Sequence, residues 1–193
     1  MNEHVETTKV YIKKYKTELI IGVSIILVAV VVIAAVVQVV YNSTPKVVYQ
    51  PAKACELLTM SEAKSLMGEK TLNSNIQNPV QSGNIATSNC GYTDGNPQTD
   101  DMIVAAISVR SGINDDGVRQ NVTEFSKAKP TRGVEAVKDI GDDAYFNTQS
   151  GQLNVRDGKN WIIFSYGMGS SPTTNTLDQT LQLARKVIPQ KSV

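Results

Sequence analysis

The sequence predicts an α+β protein: one transmembrane helix, then a mainly antiparallel sheet with helices packed on one face. Two observations predict it, a long uncharged apolar run near the N-terminus and, after it, β-branched segments in hairpin-like groups between amphipathic helices. Strands grouped in hairpins favour antiparallel pairing, whereas strands alternating singly with helices favour a parallel sheet. We therefore expect four parts, listed in chain order: a cytoplasmic tail (1–18), a transmembrane helix (19–41), a linker (42–53) and an extracytoplasmic α+β domain (54–193).

The apolar run extends from Leu19 to Val40 without a charged residue, and only Ser24 and Gln38 in it are polar. A helix of this length measures roughly 33 Å, against about 30 Å for the hydrocarbon core of a bilayer. A buried core helix is usually shorter and has a polar face. A cleaved signal peptide has a shorter apolar region that ends at a small-x-small site. We interpret the run as an uncleaved anchor, with a cleaved signal peptide as the alternative.

The basic residues beside the run indicate its orientation. Lys9, Lys13, Lys14 and Lys16 precede it, and Lys46 and Lys53 follow it. Because basic flanks stay in the cytoplasm, the excess on the N-terminal side places the N-terminus inside and the remaining chain outside. The sequence thus predicts a single-pass protein of the cell membrane with an extracytoplasmic domain.

Composition excludes several classes of function. The 193 residues carry 19 Lys and Arg against 18 Asp and Glu, one His and two Cys. A net charge of +1 provides no broad electrostatic footprint for nucleic acid. A single His, at position 4, cannot form a multi-histidine metal site, and two Cys cannot form a zinc cluster. We expect no cofactor and no metal.

The first helix of the domain has a clear start. Thr59-Met60-Ser61-Glu62 fits a capping box, in which the Thr side chain accepts from a backbone amide and the Glu side chain reaches back to the cap. Gly68 is well placed to end this helix. The next residues, 72–88, are rich in Asn, Gln and Ser, and we interpret them as a long surface loop.

Hydrophobic periodicity and turn residues predict the remaining elements. The predicted strands are 86–94, 102–110, 134–140, 144–148, 153–156 and 161–166, and the predicted helices are 115–128 and 176–188. The strand at 102–110 is rich in β-branched residues, so we expect it to be central. Asp157-Gly158 indicates a tight hairpin between the last two strands.

Cys55 and Cys90 are the only cysteines. Two thiols in one small domain outside the cytoplasm usually pair, whereas cytoplasmic thiols stay reduced. Because the lysines independently place the domain outside, we expect a disulfide, with two buried free thiols as the alternative. The pair lacks the Cys-x-x-Cys spacing of a redox-active site.

Three short motifs resemble exported domains of actinobacterial cell-envelope proteins and lipoproteins. Residues 55–62 (CELLTMSE) resemble their Cys-x-Leu-Leu-Thr-x-x-Glu helix, and Cys90-Gly91-Tyr92 resembles their Cys-x-aromatic strand. Residues 139–145 (DIGDDAY) resemble their Gly-Leu-Gly-Asp-x-Ala turn into a strand. The resemblance implies an exported location, a Cys–Cys bridge and an α+β fold, and it implies no activity. This chain has an apolar anchor where the lipoproteins have a lipidated Cys.

Residues that could carry catalysis also have structural explanations. The carboxylate pairs Asp100-Asp101, Asp115-Asp116 and Asp142-Asp143 suit turns and helix caps, because neighbours on a strand point to opposite faces. Ser61 and Lys64 belong to the capped helix, and Trp161 suits a core position with a ligand-facing ring as the alternative. Gly167–Ser171 precedes a helix and could bind an anion weakly.

We therefore predict a non-enzymatic domain with no catalytic residues. Its expected partners are the membrane and a protein or polymer of the cell envelope. The alternatives are an envelope hydrolase that uses carboxylates and a pilin-like or membrane-complex accessory subunit.

Overall fold

The computed structural model describes Ile33 and residues 47–95, 102–169 and 171–188. Within these residues the chain forms, in order, α1 (Ala54–Leu57), α2 (Met60–Met67), β1 (Leu72–Ser82), β2 (Ile85–Thr93), β3 (Ile103–Gly112), α3 (Asp115–Ala128), β4 (Val134–Val137), β5 (Asp143–Asn147), β6 (Gln152–Asp157), β7 (Asn160–Met168), a 3-10 helix (Pro172–Thr174) and α4 (Leu177–Val187). Residues Val47–Val193 belong to one compact unit.

The predicted tail, anchor and first part of the linker lie outside the described residues, apart from Ile33. None of the helices in the described part of the chain is long and apolar enough to cross a bilayer.

The strands form one sheet in the order β1-β2-β3-β7-β6-β5-β4, and every neighbouring pair is antiparallel. This confirms the predicted α+β class with an antiparallel sheet. The prediction of a central strand at 102–110 is also confirmed, because β3 lies between β2 and β7. Asp157 pairs with Asn160, so β6 and β7 form the predicted tight hairpin.

The sheet has a helix-covered layer on each face. On one face, α1, α2 and α4 cover the main core, to which Ile107 and Phe164 belong. On the other face, the Phe125 ring of α3 packs against Tyr145 and Trp161. The prediction that the helices pack on one face is therefore wrong for α3. Because successive strand residues point to opposite faces, β7 presents Trp161 to α3 and buries Ile162 in the main core.

The helix starts follow the capping residues in the sequence. Thr59 and Thr176 each form a capping box, with Glu62 and Gln179. Asn114 caps α3 by accepting from the amide of Gly117 at 2.9 Å. After α2, the chain reverses at Gly68, whose φ of 100° suits a residue without a Cβ. Side-chain capping thus explains why these helices begin where the sequence predicts.

The prediction of a surface loop at 72–88 is wrong. Residues 72–82 form β1, which pairs with β2 from Leu72 opposite Thr93 to Ser82 opposite Ile85. Two irregularities interrupt this register, between Asn73 and Asn75 and between Gln77 and Val80. Since β1 is exposed on both faces, it has no alternation of buried and exposed residues that the sequence could reveal.

The leading segment, residues 47–53, is bound to the ends of the central strands. The amide of Tyr49 donates to the carbonyl of Ile113 at 2.8 Å, and Lys159 donates to the carbonyl of Gln50 at 2.7 Å. The amide of Ala52 donates to the Ser111 hydroxyl at 3.0 Å. The second half of the predicted linker is therefore part of the domain, which begins before the predicted residue 54.

Candidate interaction surface

Strand β1 is an exposed, uncharged edge of the sheet. It is 11 residues long and contains no Asp, Glu, Lys or Arg. It exposes three large apolar side chains, Leu72 (62% exposed), Ile76 (56%) and Val80 (57%). Only β2 pairs with it among the described strands, so the backbone groups on its outer side have no strand partner there. Such an edge can accept a further strand.

Strand β4, at the opposite edge of the sheet, is short and carries a charge. Strand β4 has only four residues and includes the exposed carboxylate of Glu135. Short length and charge keep an edge from pairing with another chain, as do proline and irregularities of register. Strand β1 has Pro79 and two irregularities, but it is long, uncharged and regular at residues 75–77, so it is the better candidate of the two edges.

A groove lies between α1 and β1. It has a volume of about 210 Å³ and is lined by Lys53, Ala54, Cys55, Glu56, Ile76, Gln77 and Asn78. An exposed ion pair of 2.7 Å between Lys53 and Glu56 belongs to this lining. Pockets for drug-sized ligands usually measure about 300–1,000 Å³, so this groove suits one or two side chains of a partner.

The disulfide borders this groove, because Cys55 belongs to the lining. Cys55 and Cys90 are bonded, with their Cα atoms 5.1 Å apart, which confirms the predicted pair. Cys90 is 1% exposed and stands opposite Ile76 in the β1–β2 register. The bond joins α1 to β2 and encloses α2 and β1 in a covalent loop. It therefore holds α1 beside the candidate surface.

The paired carboxylates occupy caps, turns and ion pairs. Asp115 lies in the first turn of α3 and accepts from the Tyr49 hydroxyl at 2.7 Å. This hydrogen bond raises the pKa of Tyr49 above its ordinary value. Asp116 pairs with Arg119. Asp142 accepts from Arg156 at 3.2 Å and from the amide of Gly158 at 2.8 Å.

The remaining residues that were considered for catalysis do not form one site in the described part of the chain. Asp100 and Asp101 lie outside the described residues, and Asp143 is exposed at the start of β5. In the described part of the chain, no three His, Cys, Asp or Glu residues are grouped so that they could hold a metal ion. Ser61 is exposed on α2, and the ammonium of Lys64 donates to Glu69 at 2.9 Å.

The glycine-rich segment at 167–171 does not lead directly into α4. The 3-10 helix follows it, and α4 begins only at Leu177 behind the Thr176 cap. The Ser171 hydroxyl shares a 2.9 Å hydrogen bond with the Thr173 hydroxyl. Ser170 lies outside the described residues.

Trp161 belongs to the layer beneath α3. Its ring centroid is 5.7 Å from that of Phe125, and its indole donates to Asn154 at 3.0 Å. The guanidinium of Arg110 lies 5.7 Å from the Trp161 ring and forms an ion pair with Glu124. The hydrogen bond from Arg110 lowers the pKa of Glu124. Trp161 is half-buried, so these contacts pack its ring under α3 without placing it in the fully buried core.

Burial changes the acidity of several tyrosines. It raises the pKa of Tyr92, Tyr145 and Tyr166, because a phenolate loses hydration in the interior. Tyr92 donates to the carbonyl of Leu58 at 3.0 Å, and Tyr166 donates to that of Leu66 at 3.1 Å. These hydroxyls therefore connect the sheet to α1 and α2.

Comparison with known proteins supplies no assignment for this arrangement. No family model, curated protein or solved structure matches the chain.

Proposed function

We propose that this chain is a single-pass protein of the cell membrane whose extracytoplasmic α+β domain binds a partner in the cell envelope. Its N-terminus lies in the cytoplasm, and residues 19–41 form the anchor. The Cys55–Cys90 disulfide is the observation that carries the proposal. Structural disulfides persist outside the reducing cytoplasm, which is where the lysine distribution independently places this domain.

Strand β1 and its adjacent groove support binding as the role of the domain. The edge has no charged side chain and exposes three apolar side chains, and the groove can accept a side chain from an added segment. Strand addition of this kind obtains affinity from main-chain hydrogen bonds and specificity from side-chain pockets.

We also propose that the domain is related to the exported actinobacterial domains that its motifs resemble. Two positions support this proposal. The CELLTMSE motif covers α1 and the capped start of α2, and Cys90 and Tyr92 both contact that region from β2. Two of the three motifs thus meet in one part of the fold, where a bridged helix and strand pack together.

Thiol labelling of intact cells tests the location. In the native protein, a maleimide should label neither Cys55 nor Cys90 until a membrane-impermeant reductant is added, after which Cys55, the more exposed of the two, should react. The matched control is T7C in a background without the native cysteines, which only a membrane-permeant reagent should label. Two native thiols that are already reduced and shielded by the membrane would contradict the proposal.

A further inference from the structure

We infer that the partner of β1 is the β1 strand of a second copy, paired antiparallel about a two-fold axis at Ile76. This inference rests on the proposed binding role of the β1 edge and names its occupant. The spacing of the apolar residues of β1, the direction of its side chains and its lack of charge support the inference.

The exposed apolar residues of β1 are spaced symmetrically. Leu72, Ile76 and Val80 follow one another at intervals of four residues. If two copies pair antiparallel about Ile76, the Ile76 side chains meet each other, and Leu72 of each copy meets Val80 of the other. This register therefore sets each of the three apolar positions opposite an apolar position of the other copy.

Side-chain direction agrees with this register. Leu72 stands opposite Thr93 and Val80 opposite Thr87, while Ile76 stands opposite Cys90. Odd-numbered positions of β2 share one face of the sheet and even-numbered positions share the other. Leu72 and Val80 therefore lie on the same face, and Ile76 lies on the opposite one. A two-fold axis normal to the sheet preserves faces, so Leu72 and Val80 of the two copies meet on the same side.

The absence of charge in β1 removes one obstacle to pairing with its own copy. Like charges that face each other across a strand pair are destabilising. No residue of β1 is charged, so this register creates no like-charge pair. It also places Asn75 opposite Gln77, whose side-chain amides can exchange hydrogen bonds.

The irregularities of β1 limit the length of the contact. They fall on either side of the three residues 75–77, which pair regularly with β2. Pro79 has no amide hydrogen to contribute. The pairing is therefore short and centred on Ile76, and we expect a reversible dimer that confinement to a membrane would promote.

Photo-crosslinking of the full chain tests the occupant. We would replace Ile76 with p-benzoylphenylalanine and mix isotopically light and heavy protein in detergent and in lipid vesicles. The expected product is a light–heavy dimer joined through the 72–82 peptides. The matched control has the same probe at Ala136, an exposed position of β4, and should give no such product.

A pair of double variants tests the register. In the inferred dimer, Asn75 of each copy stands opposite Gln77 of the other, within the regular part of β1, and both side chains are exposed. The N75K/Q77E variant therefore places a lysine opposite a glutamate twice per dimer, whereas the N75K/Q77K variant places like charges there. We expect the crosslinked fraction to be about tenfold higher in the first variant, with a difference that shrinks at high salt.

Each outcome decides a separate question. Equal crosslinking of the two double variants, or adducts outside residues 72–82, would overturn the inferred dimer. A probe at Ile76 that instead captures an extended segment of a different protein would also overturn it, although the proposed binding role of β1 would stand. No protein adduct at Ile76 in intact cells would contradict both.

Discussion

The hydroxyl of Ser88 donates to the carbonyl of Ala52 at 2.9 Å. The same hydroxyl accepts from the amide of Ala54 at 3.0 Å, so one buried side chain holds the start of α1 against β2. Ser111 has a similar role on the neighbouring strand β3. Its hydroxyl accepts from the amide of Ala52 and donates to the side-chain carbonyl of Asn160 at 2.8 Å.

Ser88→Ala and Ser111→Ala should therefore each destabilise the domain. Each substitution leaves a backbone amide of the leading segment or α1 without its partner, at a cost of about 1–3 kcal/mol. Urea unfolding followed by the fluorescence of Trp161, the only tryptophan, measures the loss. The control is Ser126→Ala, because Ser126 is exposed on α3. A cost for Ser126→Ala as large as for the other two would contradict this explanation.

The disulfide should make a large contribution to stability. Closing a loop across the 35-residue separation of Cys55 and Cys90 is worth about 3–4 kcal/mol in the chain-entropy model. We expect the double variant C55A/C90A to lose roughly this amount, and chemical reduction of the native protein to have a similar effect. An unfolding midpoint unchanged by reduction would show that the bond constrains little.

Gly151→Ala should be more harmful than Gly158→Ala. Both glycines have a positive φ, 61° and 54°, so alanine is strained at each by about 1–2 kcal/mol. A Cβ on Gly151 would also lie 1.7 Å from the carbonyl oxygen of Pro172, whereas a Cβ on Gly158 meets nothing within 4 Å. Thermal unfolding of the two variants separates backbone strain from the clash. Equal midpoints would mean that the 3-10 helix moves away without cost.

Acid should weaken the ion pair between Arg110 and Glu124. Hydrogen bonding to Arg110 lowers the pKa of Glu124 below its ordinary value of 4.5. The stabilising effect is thus fully present above pH 4.5 and disappears as the pH falls through the lowered pKa. The E124Q variant should unfold with a weaker pH dependence in this acidic range than the native protein. Parallel stability curves for the two proteins would exclude the linkage.

Patterns that depend on burial or on capping could be predicted from the sequence. The helix at Asp115–Ala128, the central strand and the Asp157–Asn160 hairpin follow from apolar periodicity and turn residues. The disulfide followed from the compartment that the lysines indicate. For the helix, the strand and the hairpin, the residues that form the element also carry the signal.

Features that depend on a distant partner could not be predicted. Strand β1 is rich in Asn, Gln and Ser, which have no preference for strands, and its conformation comes from pairing with β2. The position of α3 depends on the aromatic contacts of Phe125 with Tyr145 and Trp161, which lie in β5 and β7. A signal for the β1 surface was present, however, in an uncharged run with apolar residues at 72, 76 and 80.

The bound leading segment has a mechanical consequence. Its contacts run from Tyr49 to Ile113 at the end of β3 and from Gln50 to Lys159 in the β6–β7 turn. Tension applied to the chain at residue 47 would load these contacts before it reached the core. The contacts at Tyr49 and Gln50 would therefore take up such a load before the disulfide at Cys55 does.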